Sequence, residues 1–465
     1  MNIITWVAPR LRFYRIKLFN SFRKVESVAD FFWVLSTIFN YLNLNLKNKV
    51  GVFFPFSLGK PVDELRDPLG LLTLKALEER FEPIKITIKN EPQRLNFMVP
   101  TVNPELIFGG YIGLFNYMAA LLEHGYELRI FVCEDVLPLT SIVEKKMGAD
   151  NVVTQVLKRC ELRECLDREI EQVVGKDDVF VGYSWMTMRL AKQAADHCNG
   201  KRPIFFIQEF EPIFHHYDSV RFFAEETYSF EHTAVFNSPQ LKRFFEQKKL
   251  GVFIDEKPKY CVFKHAIADI AQPDFSNRET SSKKRLLVYA RPEKHAGRNL
   301  FEVSIMLIKR AINEGVLKTN DWEFYGIGSL GAAKDMELAE GAKLKLIPRM
   351  SFKEYTESLM NYDVGISLMY APHPSVPPLE MASAGMLAVT TCFENRSPDE
   401  MRKMSSNIIA AEHTMDSLMA ALAEAVTKSN DFSYRKSGAN INWSTSWSES
   451  FNHNFLETFD SLLEN

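Results

Sequence analysis

No two of the six cysteines, Cys133, Cys160, Cys165, Cys198, Cys261 and Cys392, form a Cys-x-x-Cys pair, and none has a metal-ligand spacing. The pattern argues against a zinc ribbon or a dithiol redox motif and fits structural thiols in a reducing compartment. Long apolar runs are lacking as well. Phe31 to Phe39, the longest near the start, contains Ser36 and Thr37 and falls short of the ~20 residues that span a bilayer. Met1 to Lys24 mixes charged and apolar residues without a distinct hydrophobic block, so no signal peptide is read and a cytoplasmic protein is expected. Neither sign of charge dominates: 56 Lys and Arg stand against 59 Asp and Glu, a net charge of −3, which gives no basis for expecting nucleic acid as a partner. No strand is followed by a complete G-x-G-x-x-G turn with a later acidic residue, which argues against a Rossmann dehydrogenase. No D-x-D stands out at a strand end, and no metal is expected.

The composition that remains, 46% hydrophobic and 25% charged over 465 residues, is that of a globular chain of two to three domains. Residues 1–94 read as a helical and irregular extension. Leu11, Tyr14, Leu18, Phe22 and Val25 recur at helical spacing among Arg10, Arg12, Arg15, Lys17, Arg23 and Lys24, predicting a basic amphipathic helix. With the apolar stretch to Leu46, it reads either as an interfacial element on anionic lipid at the inner face of the cell membrane or as a helix packed on the body with a solvated basic face. From Leu95, strands are expected at Leu95 to Val102, Leu128 to Cys133, Val152 to Val156, Val179 to Gly182, Ile204 to Gln208 and Ala234 to Asn237. Helices are expected at Gly113 to His124, Glu161 to Val174 and Met186 to His197. One doubly wound domain over 95–270 accounts for them. The polar stretch Ala271 to Lys284 reads as a linker. Strands at Leu286 to Ala290, Trp322 to Tyr325, Leu344 to Ile347, Val364 to Met369, Leu387 to Thr391 and Ile408 to Ala411 predict a second doubly wound domain over 285–442. Trp447, Phe451, Phe455, Phe459 and Leu462 mark a terminal amphipathic helix within 443–465.

The chemistry concentrates after the strands. Y-A-P-H-P-S-V-P-P-L-E-M-A-S-A-G, from Tyr370 to Gly385, lies between two apolar runs and places Glu380 at a helix opening, at the carboxyl edge of a parallel sheet where open α/β folds bind ligands. His373 and Ser375 share that loop, and helix-start amides there favour anions. Y-A-R-P-E-K-H-A-G-R-N places Arg291, Lys294 and Arg298 after the first strand of the second domain, where guanidinium forks suit phosphate oxygens. Gly326 and Gly328, in Y-G-I-G-S-L-G, let backbone approach a phosphate or simply turn the chain. I-P-R-M brings Arg349 and Met350 before a helix capped by Ser351 with Glu354 three residues on. In the first domain, F-G-G-Y carries Gly109 and Gly110 between a strand and a helix, and I-Q-E-F-E-P carries Glu209 and Glu211 at the end of a buried strand. Tyr183, His215 and His216 are weaker neighbours.

These motifs, over most of residues 95–463, resemble nucleotide-sugar glycosyltransferases of the GT-B type, in particular retaining family 4 and its S-layer-glycan rhamnosyltransferase branch. The resemblance implies an α/β fold of two doubly wound Rossmann-like domains facing a cleft, with the terminal helix crossing back to the first domain. Many retaining members carry two glutamates eight positions apart, the first at the transferred sugar and the second at the nucleotide ribose. Glu380 matches the second; Pro372, followed by His373, stands where the first would be. The H-P-S-V-P-P-L-E form is similar to the rhamnosyltransferase branch. By that resemblance Arg291, Lys294, Arg298, Gly326, Gly328, Met350, His373, Ser375, Leu379 and Glu380 bind the donor. Arg349 contacts it near the nucleobase, Gly109, Gly110, Tyr183, Glu211 and His215 line the acceptor side, and Glu209 with Arg291 and Arg349 carries the reaction.

The expected activity is transfer of L-rhamnose from dTDP-L-rhamnose, with retention and without metal or cofactor, to a polysaccharide or lipid-linked glycan. Two rivals stay open: a UDP- or GDP-hexose donor on the same fold, and a non-catalytic protein that binds glycan or nucleotide in an assembly complex.

Overall fold

The computed structural model describes residues 71–107, 109–199, 201–276, 283–328, 335–348 and 350–464. The expected basic helix, Arg349 and residues 277–282 of the expected linker lie outside them. Among the described residues no helix is long and apolar enough to cross a membrane. The chain packs as two compact units, one of residues up to 112 with 125–203, the other of 113–124 with 204–465.

In the first unit, β1 (Ile86–Lys89) and β5 (Gln172–Gly175) pair in parallel as a small separate sheet. The larger sheet there contains β2 (Leu95–Val99), β3 (Leu128–Val132), β4 (Glu161–Glu164) and β6 (Val179–Gly182), all parallel in the order β4-β3-β2-β6. Chain order therefore reverses direction between β2 and β6, the kind of switch point where loops diverge and leave a crevice. The helix Trp185–Ala195 follows β6, started by a capping box between Ser184 and Thr187.

Two expectations fail in this unit. Val152 to Val156 is the start of a helix, Val152–Arg159: Asn151 caps it by accepting from Val153 N, and Val153, Val156 and Leu157 recur at helical spacing on its buried face. A short valine-rich run suits a strand equally well, and the cap decides. Glu161 to Val174 is not a helix. Its two ends are β4 and β5, each held by a parallel partner, and such long-range pairing overrides local propensity.

In the second unit, β7 (Ile204–Ile207), β8 (Thr233–Phe236) and β9 (Tyr260–Val262) run parallel in chain order. A seven-stranded sheet follows, of β10 (Lys284–Tyr289), β11 (Trp322–Ile327), β12 (Met336–Glu337), β13 (Lys343–Leu346), β14 (Val364–Ile366), β15 (Leu387–Thr391) and β16 (Ile408–Ala411). Its order is β12-β13-β11-β10-β14-β15-β16, parallel except for the β12 edge. Leaving that edge aside, the parallel strands follow the 3-2-1-4-5-6 arrangement with its switch between β10 and β14. Leu286 and Val288 face one core with the helices Phe301–Asn313 and Met415–Lys428, while Leu287 faces another with Met381 and Ala388, as strand alternation requires. Fully buried, Leu286, Leu287 and Val288 each contribute about 1.5–3 kcal/mol. β14 ends at Ile366, three residues before the expected limit, because Thr391 caps Met369 instead of continuing the ladder.

The terminal helix is two helices, Trp447–Ser450 and His453–Glu464, since Asn452 Oδ1 accepts from Phe455 N and restarts the chain. Phe451, Phe455 and Phe459 close on Tyr117, with ring centroids 5.5, 6.0 and 5.7 Å away.

Candidate functional site

The carboxyl ends of the strands in the second unit bring Glu209, Arg298, His373 and Arg396 together. Glu209 stands two residues past β7 and is 6% exposed. Its carboxylate accepts from Phe210 N at 3.1 Å and from the backbone of His373, and it feels the charges of Arg298 and Arg396. Burial outweighs these contacts and pushes its pKa up to about 7. The loop that carries His373 is held from beneath by Arg396, which is fully buried. Its guanidinium donates to Met369 O (3.2 Å), Ala371 O (3.0 Å) and Thr390 Oγ1 (3.2 Å). His373 Nδ1 accepts from Ser375 N at 3.0 Å, which fixes the ring proton of the neutral form on Nε2. Burial, then His265, Arg396 and Arg298, drive the His373 pKa well below its ordinary value, so the ring is neutral. Ser375 takes a left-handed φ of 70° to make this turn.

Arg298 ends the tight turn Lys294–Asn299 that follows β10, and its guanidinium lies over the Phe214 ring at 4.6 Å. Arg291, just past the same strand, bonds Glu293 Oε2 (2.9 Å) and Tyr289 Oη (3.3 Å). Both arginines thus flank the end of β10 at the switch point, with Lys294 opening the turn between them. Gly328 belongs with them. Its φ is +110°, and a Cβ there would stand 3.0 Å from the Tyr289 ring and 3.2 Å from Arg291 Cδ. Gly326 has a different duty inside β11, where a Cβ would meet Leu346 Cδ2 at 2.6 Å, so it allows close packing of β13.

Glu380 is buried, in the helix Pro377–Ser383, with both oxygens engaged. Oε1 accepts from Ala268 N (3.2 Å) and Oε2 from Tyr355 Oη (2.7 Å). Burial pushes its pKa up to about 7. The start of that helix offers fewer amides than its position suggests. Pro377 and Pro378 have no N–H, and Leu379 N and Glu380 N both donate to Val376 O. Leu379 is a core residue, and Met350 packs against the same core cluster as Tyr355, just before the helix Phe352–Leu359, whose capping box joins Ser351 and Glu354.

Glu211 starts a turn whose amide donates to Tyr228 Oη (3.2 Å), and His215 closes it through Pro212 O (3.2 Å). In the first unit, Tyr183 stacks on Tyr111 with centroids 4.6 Å apart, and Gly109 and Gly110 form the first turn of the helix Gly109–His124.

Several participants carry no sequence signal that singles them out. Arg396 repeats the Arg291 pattern, a cation just after a strand, and could have been found on that logic. Tyr355, Gln208, Asn237 and His265 are isolated residues that only folding assembles. A separate groove of about 700 Å³ runs along β9, lined by Lys242, Tyr260, Lys264 and Asn452, and contains none of the residues above.

Comparison with known proteins agrees with this architecture. The model for the WsaF N-terminal domain matches residues 94–239 and that for the WsaF C-terminal domain residues 284–423, together more than half of the chain. The O-antigen biosynthesis protein RfbC of Myxococcus xanthus is 25% identical over 230 residues, 48% of this chain but only 16% of RfbC. Among solved structures, the trehalose-6-phosphate synthase OtsA is similar with a TM-score of 0.52 at 11% identity, over 80% of this chain and 99% of OtsA. Anabaena Alr3699/HepE is similar with a TM-score of 0.50 at 9% identity, over 80% and 99%. The structural likenesses show the fold, GT-B with two Rossmann-like domains. With both WsaF domains matched in order on that scaffold, the chain belongs to the WsaF family.

Proposed function

We propose that the protein transfers L-rhamnose from dTDP-L-rhamnose to a hydroxyl of a growing polysaccharide or glycolipid, with retention, in the cytoplasm or at the inner face of the cell membrane. The observation that carries this reading is the meeting of a buried carboxyl, Glu209, with the His373 loop beside Arg298, next to the end of β10. Arg291 and Arg298 hold the diphosphate and stabilise the charge that builds on it, electrostatic catalysis by groups already in place. Arg349 adds a cation from outside the described residues. The acceptor oxygen bonds to the anomeric carbon as the bond to the diphosphate oxygen breaks. The leaving diphosphate keeps that electron pair and takes the acceptor proton. Glu209, ionised, orients the acceptor hydroxyl and lies against the positive charge developing on the sugar ring. His373, neutral, donates from Nε2 to a sugar or phosphate oxygen. Arginine charge takes the part a metal ion plays elsewhere, so chelation is expected to leave turnover intact.

RfbC is described as an O-antigen biosynthesis protein, which supports a polysaccharide acceptor. HepE was solved with UDP and with UDP-glucose, which favours a UDP-hexose as the alternative donor. A thermal-shift series with dTDP, UDP, GDP, ADP and NAD, on the native protein and Arg291→Ala, separates them. A dTDP-selective shift lost in the variant is expected; a UDP preference moves the donor, and no shift with any nucleotide supports a non-catalytic protein. Because Glu209 ionises near pH 7, turnover should rise through that pH, and Glu209→Gln should lose that limb and about 10²-fold in rate while keeping nucleotide affinity. An unchanged pH profile in Glu209→Gln would remove Glu209 from the reaction.

A further inference from the structure

Three neutral polar residues converge beside the Glu209–His373 contact from consecutive strand ends. Gln208 follows β7, Asn237 follows β8 and His265 stands three residues past β9. Asn237 Nδ2 donates to Gln208 O (2.9 Å) and Gln208 Oε1 (3.0 Å), and His265 N donates to Asn237 O (3.0 Å). His265 in turn lies close enough to His373 to disfavour its charge. Gly113 lets its helix lie close against the ring, since a Cβ there would stand 2.9 Å from His265 Nδ1. Gln208 Nε2, Asn237 Oδ1, His265 Nδ1 and His373 Nε2 are all buried, and none finds a hydrogen-bond partner among the described residues. Asn237, His265 and His373 are 3, 6 and 9% exposed. Buried polar atoms are normally satisfied, so four in one place point to a ligand that satisfies them.

Their chemistry restricts that ligand. Gln208 Nε2 and His373 Nε2–H donate, Asn237 Oδ1 accepts, and His265 Nδ1 does either according to its tautomer. Phosphate oxygens only accept and would leave Asn237 Oδ1 unmatched. A hydroxyl donates and accepts at once, so adjacent ring hydroxyls answer the whole set. The set is also uncharged, with burial pushing His265 down to about 4; the cations nearest it are Arg298 after β10 and Arg396 beneath the His373 loop. We propose that Gln208, Asn237, His265 and His373 form one subsite for a neutral sugar ring, held through its hydroxyls. The proposal deepens the glycosyltransferase reading and rests on it for the identity of the ring as donor or acceptor.

The test is ligand-observed NMR on the full chain with methyl α-L-rhamnoside and methyl α-D-glucoside, which needs no nucleotide. Gln208→Glu keeps Oε1 for Asn237 but replaces the donor Nε2 by a carboxylate oxygen; Gln208→Met removes both polar atoms at a partly exposed position. The native protein should bind at least one glycoside, and each variant, folded by its melting curve, should bind it about tenfold more weakly, the loss of one buried hydrogen bond. Displacement of the glycoside by dTDP-L-rhamnose or UDP-glucose, but not by dTDP or UDP, assigns the subsite to the donor ring. Retention in their presence assigns it to the acceptor ring. No glycoside binding by the native protein, or equal binding by all three proteins, overturns the subsite and leaves the four atoms to buried water. Failure of the donor reading looks different: no nucleotide shifts the melting curve while the glycoside still binds.

Discussion

Replacing Glu380 by glutamine should make stability less sensitive to pH, by an amount that follows from its surroundings. The carboxyl is 4% exposed and held by Tyr355 Oη and Ala268 N, yet burial moves its pKa from the ordinary 4.5 to about 7. That move corresponds to about 3 kcal/mol. Between those two values the folded chain keeps a proton that the unfolded chain has lost, so stability falls as pH rises from about 4.5 to about 7 and stays lowered above that. Glutamine cannot ionise. Its carbonyl oxygen still accepts from Ala268 N, and its amide can face Tyr355 Oη as donor. Urea unfolding of both proteins from about pH 5 to pH 8 should therefore show the variant gaining on the native protein by about 2.5 kcal/mol across the range, the rest of the effect lying below pH 5. The difference between the two curves is what matters. Glu209 adds a fall of the same sense in both proteins, while His265 and His373, held neutral by burial, add a rise with pH as they escape the cost of charging. All three cancel in the difference. Parallel curves would show that Glu380 is already ionised in the fold at low pH and would refute the burial argument.

Gly328→Ala should weaken nucleotide binding and also lower the melting temperature, because a φ of +110° strains any L side chain and its Cβ presses on Tyr289 and Arg291; equal nucleotide affinity of the folded variant in a melting-shift titration would count against Arg291 as a diphosphate ligand. Gly326→Ala should cost about 1–3 kcal/mol through the clash with Leu346 while leaving nucleotide affinity unchanged, and Leu346→Ala in the same chain should recover part of the stability, measured by urea unfolding. Arg435→Met should cost about 3–5 kcal/mol, since it removes the fully buried guanidinium that pairs with Asp363 at 2.8 Å and donates to Gly385 O, Ser429 O and Tyr362 O; a variant that melts with the native protein would show the pair to be dispensable.

The second sheet was legible because strands buried on both faces read as continuous apolar runs, and Leu286 to Ala290 and Leu387 to Thr391 stand out for that reason. Glu209, Arg291, Arg298, His373 and Glu380 could be picked out because each follows such a run, and a parallel sheet puts every following loop at one edge. Val152 to Val156 and Glu161 to Val174 were misread where local pattern is ambiguous. In the first the Asn151 cap decides, and in the second parallel pairing with β3 and β1 does. Tyr355, Gln208, Asn237 and His265 gave no spacing to read, because residues far apart in the chain meet only through packing.

From the sequence alone came the alternation of strands and helices, hence two parallel sheets and the loops at their carboxyl ends, because hydrophobic periodicity and turn residues act over a few neighbouring positions. The tertiary structure decided what those loops do. It placed Tyr355 and Ala268 on the two oxygens of Glu380, Arg396 beneath the His373 loop and His265 beside the same histidine. These contacts span separations such as 112 residues between Ala268 and Glu380. Burial, which sets whether Glu209, Glu380 and His373 carry charge, is a property of the whole packed unit and of no segment within it.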